Sequence, residues 1–165
     1  MVRFEWAQVL AFDGPSKPVV TPDDLIDTPP DQMRLGLQPY LSIIKLDYPV
    51  DDFLIAVKTD SDSLRGESSN AVSAALGSKG QSSQNPLPAA GVTHLAVHRF
   101  DNMLYFKRLQ PEGYAILEAL AAGSTLEDAC IKAVEQSRRT RVDWQALIKE
   151  WFDNWAALGW FCGAD

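Results

Sequence analysis

Two histidines four residues apart, His94 and His98, are the pair in this chain best suited to metal chemistry, since on a helix that interval would converge two imidazoles on one ion. They fall instead in a β-prone run, His94 to Phe100, where about 3.3 Å per residue spreads them by roughly 13 Å. One ion cannot be shared across that gap, and no Cys or carboxylate cluster lies beside them, so ordinary sheet histidines are expected. Asp23-Asp24 and Asp51-Asp52 have the side chains for acid–base work, yet each pair stands where a helix would begin and its positive end attracts negative charge. Cys130 falls on the apolar stripe of a helix and should pack as a small hydrophobe; nothing marks Cys162 as an activated thiol. There is no glycine-rich phosphate loop and no Gly-x-Ser-x-Gly elbow. The expectation is a protein that is not an enzyme, with no catalytic residue, no metal ligand and no cofactor.

Two other groups of residues could bind rather than react. Arg138, Arg139 and Arg141 form the one basic cluster, just before the last helix, where a helix-turn-helix protein would meet the DNA backbone. A solvated loop is the competing reading. The chain has 15 Lys and Arg against 22 Asp and Glu, a net charge of -7 that repels polyphosphate, so DNA binding is the lesser alternative. The second group is split between a strand and a helix. Projected at about 100° per residue, the last helix places Phe152 at the rim of its apolar stripe beside Gln145 and Lys149. Core packing competes for Phe152, but a rim aromatic with polar neighbours can also line a groove. With Tyr105, Lys107 and Arg108 on the run Met103 to Leu109, it would frame a site where an extended peptide adds by main-chain pairing.

The elements that must position these residues are marked by periodicity and punctuation. Residues 3–12 are apolar all round and end at Asp13-Gly14-Pro15, which predicts a short buried helix; its abrupt start suggests that something preceded it. Thr21-Pro22-Asp23-Asp24 reads as a cap and first turn. Alternation from Met33 to Leu46 predicts one long strand, with Pro39 marking an edge position or a bulge. Pro49 stops it, and residues 51–58 read as a helical turn or two. Residues 59–91 are rich in Ser, Gly, Asn and Gln without an aromatic residue, the composition of a flexible linker or loop.

The last third is the most legible. His94 to Phe100 and Met103 to Leu109 make a hairpin around Asp101-Asn102, a pair that tolerates positive φ. Pro111 opens a first helix that Gly123 ends. Ser124-Thr125-Leu126-Glu127 caps a second, burying Leu126, Ala129, Cys130 and Ala133. A third, from about Asp143 to Ala157, carries Trp144, Leu147, Ile148, Trp151, Trp155 and Leu158 on one stripe. Gly159 ends it, and Trp160-Phe161-Cys162 is read as a short strand returning to the hairpin.

These elements predict an α+β fold: a small antiparallel sheet with a three-helix, winged-helix-like C-terminal module. Residues 1–58 would extend the sheet, 59–91 would be the linker and 92–165 the module. A chain of 165 residues can bury one good core. No apolar run reaches membrane-spanning length and the N-terminus has no signal-peptide character, so a cytoplasmic protein with reduced thiols and no membrane partner is expected.

The runs His94-Leu95-Ala96-Val97-His98-Arg99, Leu104-Tyr105-Phe106-Lys107-Arg108-Leu109 and Ile116 to Ala129, with Phe4-Glu5-Trp6-Ala7 and Tyr48-Pro49-Val50-Asp51, resemble the C-terminal region of the HvfC/BufC-type family. The resemblance spans most of the chain outside the linker. Members begin with a helical domain named for DNA binding, and this chain starts where that domain would be ending. The resemblance implies an accessory protein partnered with a multinuclear non-haem iron enzyme that modifies a ribosomally made precursor peptide, in some cases in connection with copper. Residues 94–162 are also similar to PqqD-type peptide-recognition elements, which are winged-helix-like and capture a leader peptide beside their strand.

Overall fold

The computed structural model describes residues 2–55 and 88–164. The first helix, α1 (Val2–Asp13), forms where expected, but it is buried along one stripe only, Phe4, Ala7 and Ala11. Val2, Trp6, Val9, Leu10 and Phe12 on its other sides are exposed. The expected burial all round is thus corrected, because a single helix laid on a sheet touches it through one narrow face. Phe4 meets the Phe106 ring edge-on at 5.5 Å. A 3₁₀ turn, Pro22–Leu25, follows, tied at its start by the Thr21 N–H donating to the Asp24 carboxylate.

The single strand expected from Met33 to Leu46 is instead two, β1 (Leu35–Leu37) and β2 (Ser42–Leu46), which enter different sheets. Pro39 sits in the break, where its fixed φ suits a turn and its missing N–H would interrupt a ladder. The Leu41 N–H donates to the Gln38 carbonyl across that turn at 2.9 Å. The buried Gln38 amide closes the corner, accepting from the Lys17 N–H and donating to the Lys17 carbonyl, both at 2.9 Å. After β2, residues 50–55 are helical, and the rest of the turn expected through Lys58 lies outside the described residues, as does most of the expected linker.

Next come β3 (Thr93–Phe100) and β4 (Met103–Leu109), an antiparallel hairpin in register from His94↔Leu109 to Phe100↔Met103. Asp101 and Asn102 take φ of 48° and 58°, the left-handed values a two-residue hairpin turn needs. The three-stranded sheet has the order β2-β3-β4. Helix α2 (Pro111–Ala121) begins with its proline, α3 (Leu126–Glu135) is capped by the Thr125 hydroxyl accepting from the Asp128 N–H, and α4 (Trp144–Ala157) by Asp143 accepting from the Ala146 N–H. Gly123 and Gly159, at φ of 83° and 69°, end α2 and α4. Ala129 and Ala133 of α3 are buried, whereas Leu126 and Cys130 are only half-buried.

The last strand, β5 (Phe161–Gly163), does not return to the hairpin. It pairs antiparallel with β1 in a separate two-stranded sheet, and its other side meets residues 19 and 20. Gly36 makes the pairing possible: a Cβ there would stand 2.7 Å from the Gly163 carbonyl. The core gathers Leu35, Leu41, Ala96, Ile116, Leu117 and Leu120 around Trp155 and Trp160, whose rings lie nearly parallel at 6.1 Å. The molecule is mixed α and β with small antiparallel sheets. It divides into two compact units, residues 1–45 with 94–165 and residues 46–93, so the N-terminal helix and β1 share a unit with the C-terminal helices. No helix among the described residues is long and apolar enough to cross a membrane.

Candidate functional site

Strand β4 is an edge: it pairs with β3, and no other described strand joins it. In an antiparallel pair the main-chain groups alternate in direction, and a two-residue turn makes Phe100 and Met103 a bonded pair, so those of Leu104 and Phe106 turn away from β3. Side chains alternate as well. Phe106 faces α1, while Tyr105 and Lys107 face α4. The Lys107 ammonium donates to the Asn154 side-chain carbonyl and links the free edge to the tryptophan-bearing helix.

Two hollows flank that link and share Lys107 and Asn154, so they run on from one another along β4. The first, of about 380 Å³, is walled by His98, Phe100, Tyr105, Phe106 and Leu158. The second, of about 190 Å³, lies between Arg108, Leu109 and Gly113 on one side and Glu150, Trp151 and Trp155 on the other. Trp151 and Trp155 stack at 6.1 Å; Trp155 is buried against Gly113, where a Cβ would stand 3.4 Å from its ring, and the half-buried Trp151 supplies the aromatic surface of this wall. His98 is buried in the first hollow, stacked on Tyr105 at 5.8 Å and edge-on to Trp160 at 5.1 Å. Burial holds its pKa below the usual histidine value, so the ring is neutral near pH 7. The arrangement offers a strand to pair with, aromatic side chains in its walls, and two basic residues, Lys107 and Arg108.

Of the residues expected from sequence to contact a peptide, Tyr105, Lys107 and Arg108 do line these hollows. Gln145, Lys149 and Phe152 do not. Phe152 packs flat on Phe161 at 5.5 Å and edge-on to Trp155 at 5.2 Å, Lys149 pairs with Asp153 on the exposed side, and Gln145 is solvent-exposed. An apolar stripe has two rims, and the rim that meets β4 is the one carrying Glu150 and Asn154. Those two polar residues, four apart and flanking Trp151, were the available signal, but only the Lys107–Asn154 bond selects their side.

In the basic cluster Arg139 is tethered while remaining exposed: its guanidinium donates to the Gln110 side chain, stands 4.0 Å from the buried carboxylate of Glu112, and covers Trp144 at 5.8 Å. Ser137 donates to the other oxygen of Glu112. All three arginines are exposed, and Arg138 and Arg139 together line one hollow.

His94 lies at the far end of β3 against Tyr114, with ring centroids 4.5 Å apart, and burial raises the pKa of the Cys130 thiol. Among the described residues no group of three or more His, Cys, Asp or Glu is placed to hold a metal ion. Comparison with models of known protein families and with curated proteins returns no match, so the geometry of the groove alone carries the functional assignment.

Proposed function

We propose that the chain is a peptide-binding accessory protein, holding an extended segment of a ribosomally made precursor against the free edge of β4. The observation that carries this reading is the open strand edge running beside aromatic hollows whose far wall is α4. Main-chain pairing to Leu104 and Phe106 would supply affinity, and the hollows would read alternate side chains. The order of three antiparallel strands followed by three helices supports the winged-helix-like description and the likeness to peptide-recognition elements. An iron-dependent enzyme that modifies the bound peptide is the partner that the resemblance to the HvfC/BufC-type family implies.

The test is a titration of labelled precursor peptide, taken from a short reading frame beside the gene, and of duplex DNA, each at two salt concentrations. The peptide should bind with a Kd that changes little with salt, and the amides of Leu104 and Phe106 should gain exchange protection. Leu104→Pro, which removes an outward N–H while sparing the ladder to β3, should weaken binding about tenfold or more. Unchanged affinity in that variant would remove strand addition from the account. Saturable DNA binding that falls steeply with salt would favour a transcription regulator instead.

A further inference from the structure

Helix α1 is apolar on the side turned away from the protein as well as on the side that packs. Phe4, Ala7 and Ala11 form the buried stripe, and at about 100° per residue Val2, Trp6 and Val9 run along the opposite side, with Leu10 on one flank and Phe12 on the other. Val2, Trp6 and Phe12 keep 78%, 62% and 63% of their surface exposed. Together the five residues expose about 600 Å², the upper end of the largest apolar patch on a typical monomer. Two such faces pressed together would remove about 1,200 Å² from water, which reaches the size of a stable protein–protein interface.

The face is complementary to itself in one orientation. Val2, Trp6, Val9 and Asp13 recur at intervals of four, three and four, the spacing of a helix–helix seam. In an antiparallel pair centred between Ala7 and Gln8, Trp6 of one copy lies opposite Val9 of the other, a large side chain beside a small one. The same register sets Arg3, in the first turn of one helix, beside Asp13, in the last turn of the other; both are exposed. On its own helix each of these charges stands at the wrong end, a cation at the positive pole and an anion at the negative one, whereas an antiparallel neighbour brings each the opposite charge and the opposite pole. Glu5, on the Phe12 flank, is the one charge of α1 that suits its own helix. A parallel pair would set Trp6 on Trp6, Arg3 on Arg3 and Asp13 on Asp13.

We propose that the exposed face of α1 joins two copies of this chain in an antiparallel, two-fold dimer. The inference rests on α1 alone and does not depend on the β4 reading.

Sedimentation equilibrium of the full chain should fit a monomer–dimer equilibrium with a Kd below about 100 μM, and its melting temperature should rise with protein concentration. Trp6→Glu and Val9→Glu, at positions outside the core, should each be monomeric with an unchanged circular dichroism spectrum and a melting temperature independent of concentration. Arg3→Asp or Asp13→Arg alone should raise the Kd about fivefold, and the two together should restore it, since the pair is then re-formed with its signs exchanged. A single monomeric species at about 500 μM overturns the proposal and leaves the face to a different protein or to another part of the same chain. A dimer that survives Trp6→Glu and is lost in Leu104→Pro overturns it in favour of pairing between two β4 edges. Failure of the double charge exchange to restore the Kd overturns the antiparallel register.

Discussion

Strands β4 and β1 each keep one edge that no other described strand joins, and the neighbours of the two edges differ. Along β4 the flanking wall is α4, with the half-buried Trp151 backed by the buried Trp155 and with Lys107 bonded across to Asn154. Along β1 the flanking residues are aliphatic or small, among them Ile43, Leu120 and Gly163, and the strand is three residues long. What separates the two edges is the side chains beside them: aromatic residues of α4 along β4, aliphatic and small residues along β1. An open edge is also a liability for aggregation, and each is limited differently, β4 by Lys107 and Arg108 and β1 by its shortness.

The largest effect expected on this contrast comes from Trp155→Ala. Trp155 is 2% exposed and stacked between Trp151 and Trp160, so its loss should cost about 3–5 kcal/mol in denaturant unfolding. It should also collapse the wall of the β4 groove. Gly36→Val comes next, on the other edge: its side chain would drive into the Gly163 carbonyl and the Cys162 sulfur, costing about 1–3 kcal/mol. Amide exchange should then rise in β1 and β5 while β3 and β4 keep their protection; equal loss in the hairpin would show that the two edges are one mechanical unit.

Gly113→Ala should act in the opposite direction. The added methyl meets Trp155 at 3.4 Å, an ordinary contact, and alanine gains up to about 1 kcal/mol over glycine in a helix. The melting temperature should rise as peptide affinity at β4 falls.

The smallest effect is that of pH. Burial lowers the pKa of both His94 and His98, so below the ordinary value of 6.5 the unfolded chain binds more protons than the folded one. Their contribution to stability is whole above pH 6.5 and is lost as pH falls toward the lowered folded values. Melting temperatures measured between pH 7.5 and 5.0 should show this decline, and His98→Phe should flatten part of it. His98 borders the β4 groove, so peptide binding at β4 should share the dependence.

Legibility followed the range of the interactions involved. The turn at Asp101-Asn102, the proline start of α2, the Thr125 cap and the glycine ends of α2 and α4 each depend on a few neighbouring residues, and each was readable in order along the chain. The sequence named Tyr105, Lys107 and Arg108 on the strand, and these line the hollows along β4. The helix half of that site was not readable: periodicity defines the stripe of α4 but leaves its two rims equivalent, and Glu150 and Asn154 rather than Gln145, Lys149 and Phe152 turned out to face the strand. The partner of β5 was equally hidden. Trp160-Phe161-Cys162 is strand-like in any context, and pairing with β1 over more than 120 residues is selected by Pro39 ending β1 and Gly36 admitting the close approach.

Composition, punctuation and periodicity by themselves determined the hairpin, the three C-terminal helices and their ends, because those follow from backbone sterics and local hydrogen bonding; they did not reveal the break between β1 and β2 or the single buried stripe of α1. Tertiary structure alone decided which edges stay open, which rim of α4 meets β4, and that Arg139 stands beside Glu112. Each of these outcomes depends on closing a long loop against a specific packing surface, and residues distant in sequence carry no local signal of the neighbour that will cover them.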